Sequence, residues 1–359
     1  MINRERLINT FCELVKIDSP SGEEEVIRSL LEKKLTDVGL DTLIDDYGNL
    51  IAKKDGPNPI LLSAHMDTVE PGRNIKPSIK KDRIISDGTT ILGGDCKAGV
   101  SAIIEAVESF HEDGLDFPPL EIVLTREEEI GLVGARNLDF SLIHSKLAIV
   151  FDGEGPVSQI TSSSPSYVGF DMAIKGISAH AGAEPEKGLS AIKIAGDLIS
   201  ELPQGRLDKN TTFNIGTIEG GSVRNTVAEN VNIKGEFRST NIENLDEIRN
   251  QIDIILNKIR NKYPESEITN HLHVEFETYN ISDNEPALLT IKAALNSLGL
   301  PIEMKASGGG TDGNVFRLNG ISAVVVGMAD HGMHTVREYV TIPDLIDAAH
   351  VCETLLRSK

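Results

Sequence analysis

Cysteine is scarce in this sequence. Its three cysteines, Cys12, Cys96 and Cys352, are an odd number, and no two of them have the C-x-x-C spacing of a metal site. A disulfide framework and a thiolate zinc site are therefore not expected. We predict a protein of the reducing cytoplasm.

Positive charge is also in short supply. The chain has 35 lysine and arginine residues against 55 aspartate and glutamate residues, which gives a net charge of -20. No group of lysines and arginines forms the basic stripe that binds phosphate backbones or anionic lipids. Neither a nucleic acid nor a membrane surface is expected as a partner.

The sequence further lacks any apolar run of membrane-spanning length. Residues 1–17 are amphipathic and have neither the apolar core nor the cleavage site of a signal peptide, so they predict a first helix. The 359 residues are 40% hydrophobic and include no low-complexity segment. This length and composition predict a large core and two globular domains.

Polar residues directly follow several continuous apolar runs, which predict strands covered by helices on both faces. His65 and Asp152 each come directly after such a run, and the glutamates at 127–129 follow another run after one intervening residue. Because ligands bind beyond the carboxyl ends of parallel strands, we expect these side chains at one rim of a sheet. Asp95 lies in a glycine-flanked loop before a predicted helix at 98–110. The apolar runs are 60–64, 120–125, 147–151 and 321–327.

Alternating apolar residues mark 164–279 as a different kind of structure. Its predicted order of elements is β-α-β-β-α-β, that of a ferredoxin-like unit. The surrounding chain predicts an α/β fold with a mixed, mostly parallel sheet flanked by helices. We therefore expect a discontinuous first domain, residues 1–163 and 280–359, with a second domain inserted at 164–279.

The spacing of Ser21 and Glu24 is that of a capping box. It predicts that Ser21 caps the start of a helix and that Glu24 returns a hydrogen bond to it.

The chemistry of the candidate residues suits two divalent metals that share one carboxylate. Zinc polarises carbonyl groups and lowers the pKa of bound water to about 7. Manganese and cobalt accept the same oxygen and nitrogen ligands, so the residue types do not fix the metal. Hydrolysis is the predicted reaction. The five candidate ligands are His65, Asp95, Glu129, Asp152 and His334.

Two further acids have predicted supporting roles. Asp67, two residues after His65, is placed to accept a hydrogen bond from the His65 Nδ1–H and so orient the ring. The adjacent carboxylates of Glu127, Glu128 and Glu129 would repel one another unless a metal or a proton relieved them. One of them can bind metal while its neighbour moves a proton.

Each motif by itself has an ordinary explanation. The glutamate run fits a solvated helix start, Asp95 fits an N-cap and Asp152 fits a turn. Their joint occurrence at predicted strand and helix ends favours a metal site.

The segments that contain these residues resemble the co-catalytic metallopeptidases, a family that includes peptidase T, aminoacylase, glutamate carboxypeptidases and succinyl-diaminopimelate desuccinylase. The resemblance covers nearly the whole chain, and its segments FDGEG and AHAGAEPEKGLSAI are most like peptidase T. It departs at Cys96, where relatives commonly carry an acid that is not a ligand. The matching segments are SAHMDTV, GGDCKAG, REEEIGLVGA, FDGEG, GISAHAGAEPEKGLSAI, GGSVRNTV, GEFRS, GGTDGNVF and GMHTVREYV.

This resemblance implies a role for each candidate residue. His65 and Asp152 would hold one metal, Glu129 and His334 the other, and Asp95 would bridge them. The cofactor implied is two divalent ions per subunit, zinc first, with cobalt or manganese as alternatives. Glu128 would be the general base and Asp67 would orient His65. His331 is an alternative last ligand, although Thr335 and Glu338, as in relatives, favour His334.

The resemblance also implies contacts to substrate. His180 in the inserted domain, which would serve as a lid and dimerisation domain, would reach the substrate carbonyl. In relatives this histidine often comes from the partner subunit of a homodimer. The other implied substrate-binding residues are Asn225, Arg224, Gly309 and Thr311, with Arg238 as an alternative to Arg224.

The predicted function is removal of the N-terminal residue from tripeptides or other short peptides by a di-metal exopeptidase of the peptidase T kind. An alternative keeps the chemistry and changes the substrate, as in an N-acyl amino acid deacylase or a dipeptidase. A non-catalytic binding protein is not favoured, because it would need no base beside the ligands.

Overall fold

The computed structural model describes residues 1–357. They form two compact units, the first made of residues 1–163 and the chain from Asn280 onward, the second of Ser164–Tyr279. Residues 358 and 359, which the predicted first domain includes, lie outside the described residues.

The helices and strands follow one another in three segments of the chain. The first segment contains α1 (Arg4–Leu14), α2 (Glu25–Asp37), β1 (Asp41–Ile44), β2 (Leu50–Lys54), β3 (Ile60–His65), β4 (Ser78–Lys80), β5 (Arg83–Ile85), α3 (Gly94–Glu112), β6 (Leu120–Thr125), α4 (Val133–Arg136), β7 (Leu147–Gly153) and β8 (Gln159–Ser164). The second contains β9 (Ser166–Lys175), α5 (Ala191–Glu201), β10 (Gly205–Arg206), β11 (Thr211–Gly220), β12 (Asn230–Ser239), α6 (Ile242–Lys262) and β13 (Glu267–Phe276). The third contains β14 (Tyr279–Asn280), α7 (Pro286–Ser297), β15 (Glu303–Ala306), α8 (Asp312–Leu318), β16 (Ser322–Gly327), β17 (Asp330–His331), β18 (Tyr339–Thr341) and α9 (Ile342–Arg357).

A mixed sheet forms the centre of the first unit. Its strand order is β1-β2-β6-β3-β7-β16-β8-β14, and β15 adds to β8. The four strands β6, β3, β7 and β16 are mutually parallel, whereas β1 and β2 extend the sheet in antiparallel pairs. Every residue of β3 and β6 is buried, as their continuous apolar sequences require. The predicted α/β class is confirmed.

Helix α3 lies directly against strand β7. A Cβ atom on Gly99 would be 2.3 Å from the carbonyl oxygen of Phe151, so only glycine permits this approach. The contact brings the start of α3 close to the end of β7, where Asp95 and Asp152 lie.

A second, antiparallel sheet in the same unit has the order β17-β18-β5-β4. The turn between β17 and β18 carries His334, so this sheet delivers the C-terminal candidate ligand.

The second unit is one antiparallel sheet of order β10-β11-β12-β9-β13, packed against α5 and α6. Phe170, Phe213 and Phe237 form the aromatic part of its core, with Ile194 of α5 and Ile252 of α6. Apart from the short β10, the order of elements is the predicted β-α-β-β-α-β.

The predicted capping box at Ser21 and Glu24 is wrong. Helix α2 starts at Glu25, and its N-cap, Glu24, makes no side-chain cap hydrogen bond. The Glu24 carboxylate instead accepts a hydrogen bond from the Glu127 N–H at 3.1 Å, and the Ser21 hydroxyl donates to Asp67 at 2.6 Å. The Glu24 carboxylate also accepts from the nearby Gly22 N–H at 2.8 Å, so its local hydrogen bond goes to Gly22 rather than to Ser21, whose hydroxyl has a partner distant in sequence.

Within residues 1–357, none of the helices is both long enough and apolar enough to cross a membrane.

Candidate metal centre

The end of β3 supplies an imidazole and a carboxylate that are both buried. His65 is 1% exposed and Asp67 is fully buried. The His65 Nδ1 atom is 3.0 Å from the Asp67 carbonyl oxygen and 3.3 Å from its carboxylate Oδ1. Either contact fixes the proton on Nδ1 and leaves Nε2 as the nitrogen available to a metal.

The carboxylate of Asp95 lies between two imidazoles. Its Oδ1 is 3.0 Å from His65 Nε2, and its Oδ2 is 3.1 Å from His334 Nε2. Asp95 and Cys96 have non-helical backbone angles at the start of α3, which turn the aspartate side chain out of the helix. One carboxylate therefore faces both halves of the site, as a bridging ligand must.

Each half of the site has a second carboxylate. Asp152 Oδ1, at the end of β7, is 3.4 Å from His65 Nε2. Glu129 Oε2, after β6, is 3.0 Å from His334 Nε2. In each of two groups, one donor atom per residue lies within 4.8 Å of all the others: His65, Asp95, Cys96 and Asp152 in the first, and Asp95, Glu129 and His334 in the second.

The donor set suits divalent cations. Imidazole nitrogens and carboxylate oxygens are ligands that zinc, manganese and cobalt accept. In addition, Glu129 Oε1 is buried without a hydrogen-bond partner, which leaves a desolvated lone pair within the second group. Both observations fit the cofactor that the sequence predicts.

Cys96 belongs to the first group by distance, but its surroundings are those of a protonated thiol. The Cys96 Sγ donates to the Phe151 carbonyl oxygen at 2.7 Å. Burial raises the pKa of this thiol well above its usual value. The thiol therefore packs α3 against β7 rather than offering a thiolate.

The three adjacent glutamates have different surroundings. Glu127 turns away from the metal groups, since its carboxylate accepts from the Tyr47 hydroxyl and contacts Arg126 Nη2 at 2.9 Å. Glu128 is 8% exposed, and its backbone N–H donates to Asp67 Oδ1 at 3.0 Å. The expected repulsion is therefore relieved for Glu127 by a cation and a hydroxyl.

Burial and charge shift the pKa values of the acids in the site. Burial, with the nearby Asp152, raises the pKa of Glu128 well above its usual range. Burial also raises the pKa of Asp152, to about 7. For Asp95 the hydrogen bonds from His334 and His65 more than offset burial, so its pKa falls below the ordinary value. The same contacts with Asp95 and Glu129 raise the pKa of His334 to about 10.

The alternative ligand His331 lies outside both groups. Its ring stacks on Tyr339 with centroids 4.9 Å apart, and its Nε2 is 3.7 Å from Asp344. His334, with a φ of 62°, is the imidazole that faces Asp95.

Sequence reasoning missed two side chains that support the site. The Ser21 hydroxyl donates to the carboxylate of Asp67, and the Thr125 hydroxyl donates to the buried carboxylate of Asp312. Burial raises the pKa of Asp312 to about 6. The Ser21 contact links residues 46 positions apart, and the Thr125 contact links residues 187 apart, so neither has a local sequence signal.

The second unit holds three of the predicted substrate-binding residues, all exposed. The Ala181 N–H donates to the Asn225 carbonyl oxygen at 3.0 Å, so the loops that bear His180 and Asn225 are adjacent. Arg224 precedes Asn225 on the same loop. The His180 Nδ1 accepts from the Gly182 and Ala183 N–H groups at 3.2 and 3.1 Å. Because Nδ1 accepts, the ring proton is on Nε2.

Gly309 and Thr311 lie in the first unit, before α8. Thr311 is the N-cap of α8 and forms a capping box with Asn314. The Gly309 N–H donates to the Ser307 hydroxyl oxygen at 3.0 Å, and this hydrogen bond closes a tight turn. Their predicted contacts with substrate stay predictions.

Comparison with known proteins finds similarity to peptidases. Residues 163–264 match the family model of the M20 peptidase dimerisation domain. The chain is 33% identical to a tripeptidase from Staphylococcus aureus whose structure superposes with a TM-score of 0.90, and the alignment covers 99% of each chain. It is 36% identical to the aminopeptidase PepT from Bacillus cereus, with a TM-score of 0.85 and coverage of 99% and 98%. It is also 35% identical to the uncharacterized protein YqjE from Bacillus subtilis over 99% of both chains.

Proposed function

Because this chain belongs to the M20 family of metallopeptidases, we propose that it is a metal-dependent aminopeptidase that removes the N-terminal residue from tripeptides and other short peptides. One observation carries the proposal. The five candidate ligands predicted from sequence form two groups that share Asp95, and a buried glutamate outside both groups, Glu128, is next in sequence to the candidate ligand Glu129. The similar tripeptidase and the aminopeptidase PepT support the substrate class.

His65 and Asp152 would hold one ion, Glu129 and His334 the other, and Asp95 both. When bound, two divalent ions, zinc first among the candidates, polarise the scissile carbonyl and lower the pKa of water. Asp67 orients the His65 ring through its contact with Nδ1. The Asp67 carboxylate also accepts hydrogen bonds from the Glu128 and Glu129 N–H groups, at 3.0 and 3.2 Å, and so holds the segment that bears these glutamates.

Glu128 serves as the general base. Its carboxylate takes a proton from the attacking water and passes it to the leaving amine nitrogen. Burial raises the pKa of its carboxyl, so Glu128 binds a proton more strongly than an exposed glutamate does, which suits a group that must hold this proton between the two transfers.

His180 stabilises the oxyanion that forms on the substrate carbonyl. This role needs a donor, and the Nε2–H of His180 is one, because Nδ1 is occupied as an acceptor. We propose that His180 acts in a homodimer, on substrate bound by the partner subunit. The match to a peptidase dimerisation domain supports the dimer.

We also propose that the protein works in the cytoplasm. Support for this comes from its three free cysteines, Cys12, Cys96 and Cys352.

The test compares a free tripeptide with its N-acetylated counterpart. Protein is stripped with a chelator, reloaded with zinc, and assayed for release of the N-terminal residue. Cleavage of the free peptide alone is the expected result. The metal-free protein and a Glu128→Gln variant are the matched controls, and neither should release the residue.

Two other outcomes would change the proposal. Cleavage of acylated compounds alone would favour an N-acyl amino acid deacylase with the same metal chemistry. Failure to cleave either compound with two metals bound would contradict an amide hydrolase of small peptides.

A further inference from the structure

The carboxylate of Glu338 accepts hydrogen bonds from four consecutive backbone N–H groups. Its Oε2 accepts from Leu92 at 2.6 Å and Gly93 at 2.9 Å, and its Oε1 accepts from Gly94 at 2.7 Å and Asp95 at 3.1 Å. The residue is 2% exposed. A carboxylate offers about four lone-pair positions, and here each is used. Glu338 therefore has no lone pair left for a metal ion or for a substrate proton.

These four N–H groups belong to the turn that aims Asp95 at the two imidazoles. At a helix start such groups have no acceptor within the helix, and α3 begins with non-helical angles at Asp95. The Glu338 carboxylate supplies the missing acceptors through charge-assisted bonds. The turn also has little space to move, because a Cβ on Gly94 would come within 2.2 Å of Asp330 Oδ1.

Glu338 also closes the turn that carries His334. Its backbone N–H donates to the Thr335 carbonyl oxygen at 3.0 Å, and the Thr335 hydroxyl donates to Gly332 at 2.8 Å. The His334 side chain is 53% exposed, so packing alone does not hold it. Its position depends on this turn.

One residue thus joins two ligand-bearing turns that are distant in sequence. The backbone of Glu338 closes the His334 turn, while its side chain holds the Asp95 turn 243 residues away. We propose that Glu338 is a positioning residue that sets the separation of the Asp95 carboxylate from the His334 imidazole, and with it the affinity of the half of the site held by Glu129 and His334. This inference rests on the di-metal part of the proposed function.

The test measures metal binding rather than catalysis. Metal-free wild-type and Glu338→Gln proteins are titrated with Co²⁺, and the visible absorption spectrum reports affinity and coordination. Glutamine has the same length, but its NH₂ group faces two of the four backbone donors and repels them. We expect Co²⁺ affinity to fall about 10- to 100-fold, as for other residues that hold metal ligands in place, with an altered spectrum.

Glu121→Gln is the matched control. Glu121 is also a 2% exposed carboxylate, and it accepts from the His144 and Ser145 N–H groups at 2.8 and 2.9 Å. It lies at the opposite end of β6 from Thr125, which is the register partner of His65. This variant should unfold at a lower temperature, yet bind Co²⁺ with wild-type affinity and spectrum.

If Glu338→Gln does not fold, Glu338→Asp is titrated in its place. It keeps the buried charge but is one methylene too short to reach all four donors, so a weaker Co²⁺ affinity is again expected. Wild-type affinity and spectrum in either folded variant would overturn the proposal. If neither variant folds while Glu121→Gln does, Glu338 is a folding residue and the proposal is likewise overturned. Failure of the wild-type protein to bind two Co²⁺ ions would instead contradict the proposed function.

Discussion

At the scale of single residues, neighbours in sequence have separate tasks. Glu127 contacts Arg126 and Tyr47, Glu128 is buried outside both candidate metal groups, and Glu129 belongs to the second group. The positive φ of Glu127, 51°, directs its side chain away from the other two. A run of like charges is tolerated here because each carboxylate has its own surroundings.

Glu128→Ala should keep both metals and lose turnover. The variant removes the proposed base and no proposed ligand, so we expect kcat to fall by at least about 100-fold. Metal content by elemental analysis and kcat on a tripeptide are the measurements. Glu127→Gln is the control and should remain active, because Glu127 faces Arg126. Near-normal turnover of Glu128→Ala would assign the base to another group.

Asp95→Ala should lose both metals, because Asp95 contributes one oxygen to each group. Glu129→Ala, by contrast, should lose only the ion shared with His334. The number of metal ions bound per subunit, measured after dialysis against a weak chelator, distinguishes the two cases. One tightly held ion in Asp95→Ala would show that Asp95 is not a bridge.

At the scale of elements, the site depends on the close packing of α3 on β7. Gly99 lies directly against the carbonyl oxygen of Phe151, and the Cys96 thiol donates a hydrogen bond to the same oxygen. The next residue on β7 is Asp152. Any displacement of α3 would therefore move Asp95 relative to Asp152.

Gly99→Ala should weaken both the fold and the first metal group. The added Cβ would lie 2.3 Å from Phe151 O and 2.9 Å from Phe151 Cβ. Overpacking of this kind typically lowers the free energy of unfolding by about 1–3 kcal/mol. Urea denaturation and metal titration are the measurements.

The control for this change is Gly196→Ala on α5, where the new Cβ would have no atom within 4 Å apart from its own helix backbone and its neighbours in sequence. Alanine is favoured over glycine inside a helix, so this variant should be stabilised by roughly 0.5–1 kcal/mol. Equal effects of the two substitutions would argue against a tight contact between α3 and β7.

At the scale of the whole molecule, the proposed reaction needs residues from both compact units. The metal groups belong entirely to the first unit, while His180 and Asn225 belong to the second. If the second unit joins two subunits, each active site depends on two chains.

His180→Ala should reduce turnover far more than metal content. Mixing it with Glu128→Ala, which keeps His180, tests action across the dimer. Neither variant is active alone, yet a mixed dimer has one site with both residues. Statistical exchange of subunits in a symmetric dimer should restore roughly a quarter of wild-type activity. No recovery after confirmed exchange would contradict action across the dimer, and a wild-type rate for His180→Ala would remove His180 from the mechanism.

The sequence by itself determined the fold class and the candidate ligands. Continuous apolar runs predict buried strands because periodicity is a local property, and the position of His65 or Asp152 after such a run follows directly. The order of elements in the inserted segment was predictable for the same reason. Motif residues and their resemblance to known peptidases supplied the rest of the site.

Only the tertiary structure decided which groups face one another. It turned Glu127 away from the metal groups, and it replaced the predicted capping box of Ser21 with a hydrogen bond to Asp67. The four hydrogen bonds that the Glu338 carboxylate accepts likewise join residues that are distant in sequence. Hydrogen bonds between residues tens or hundreds of positions apart form only once packing brings the segments together, and no local pattern encodes them.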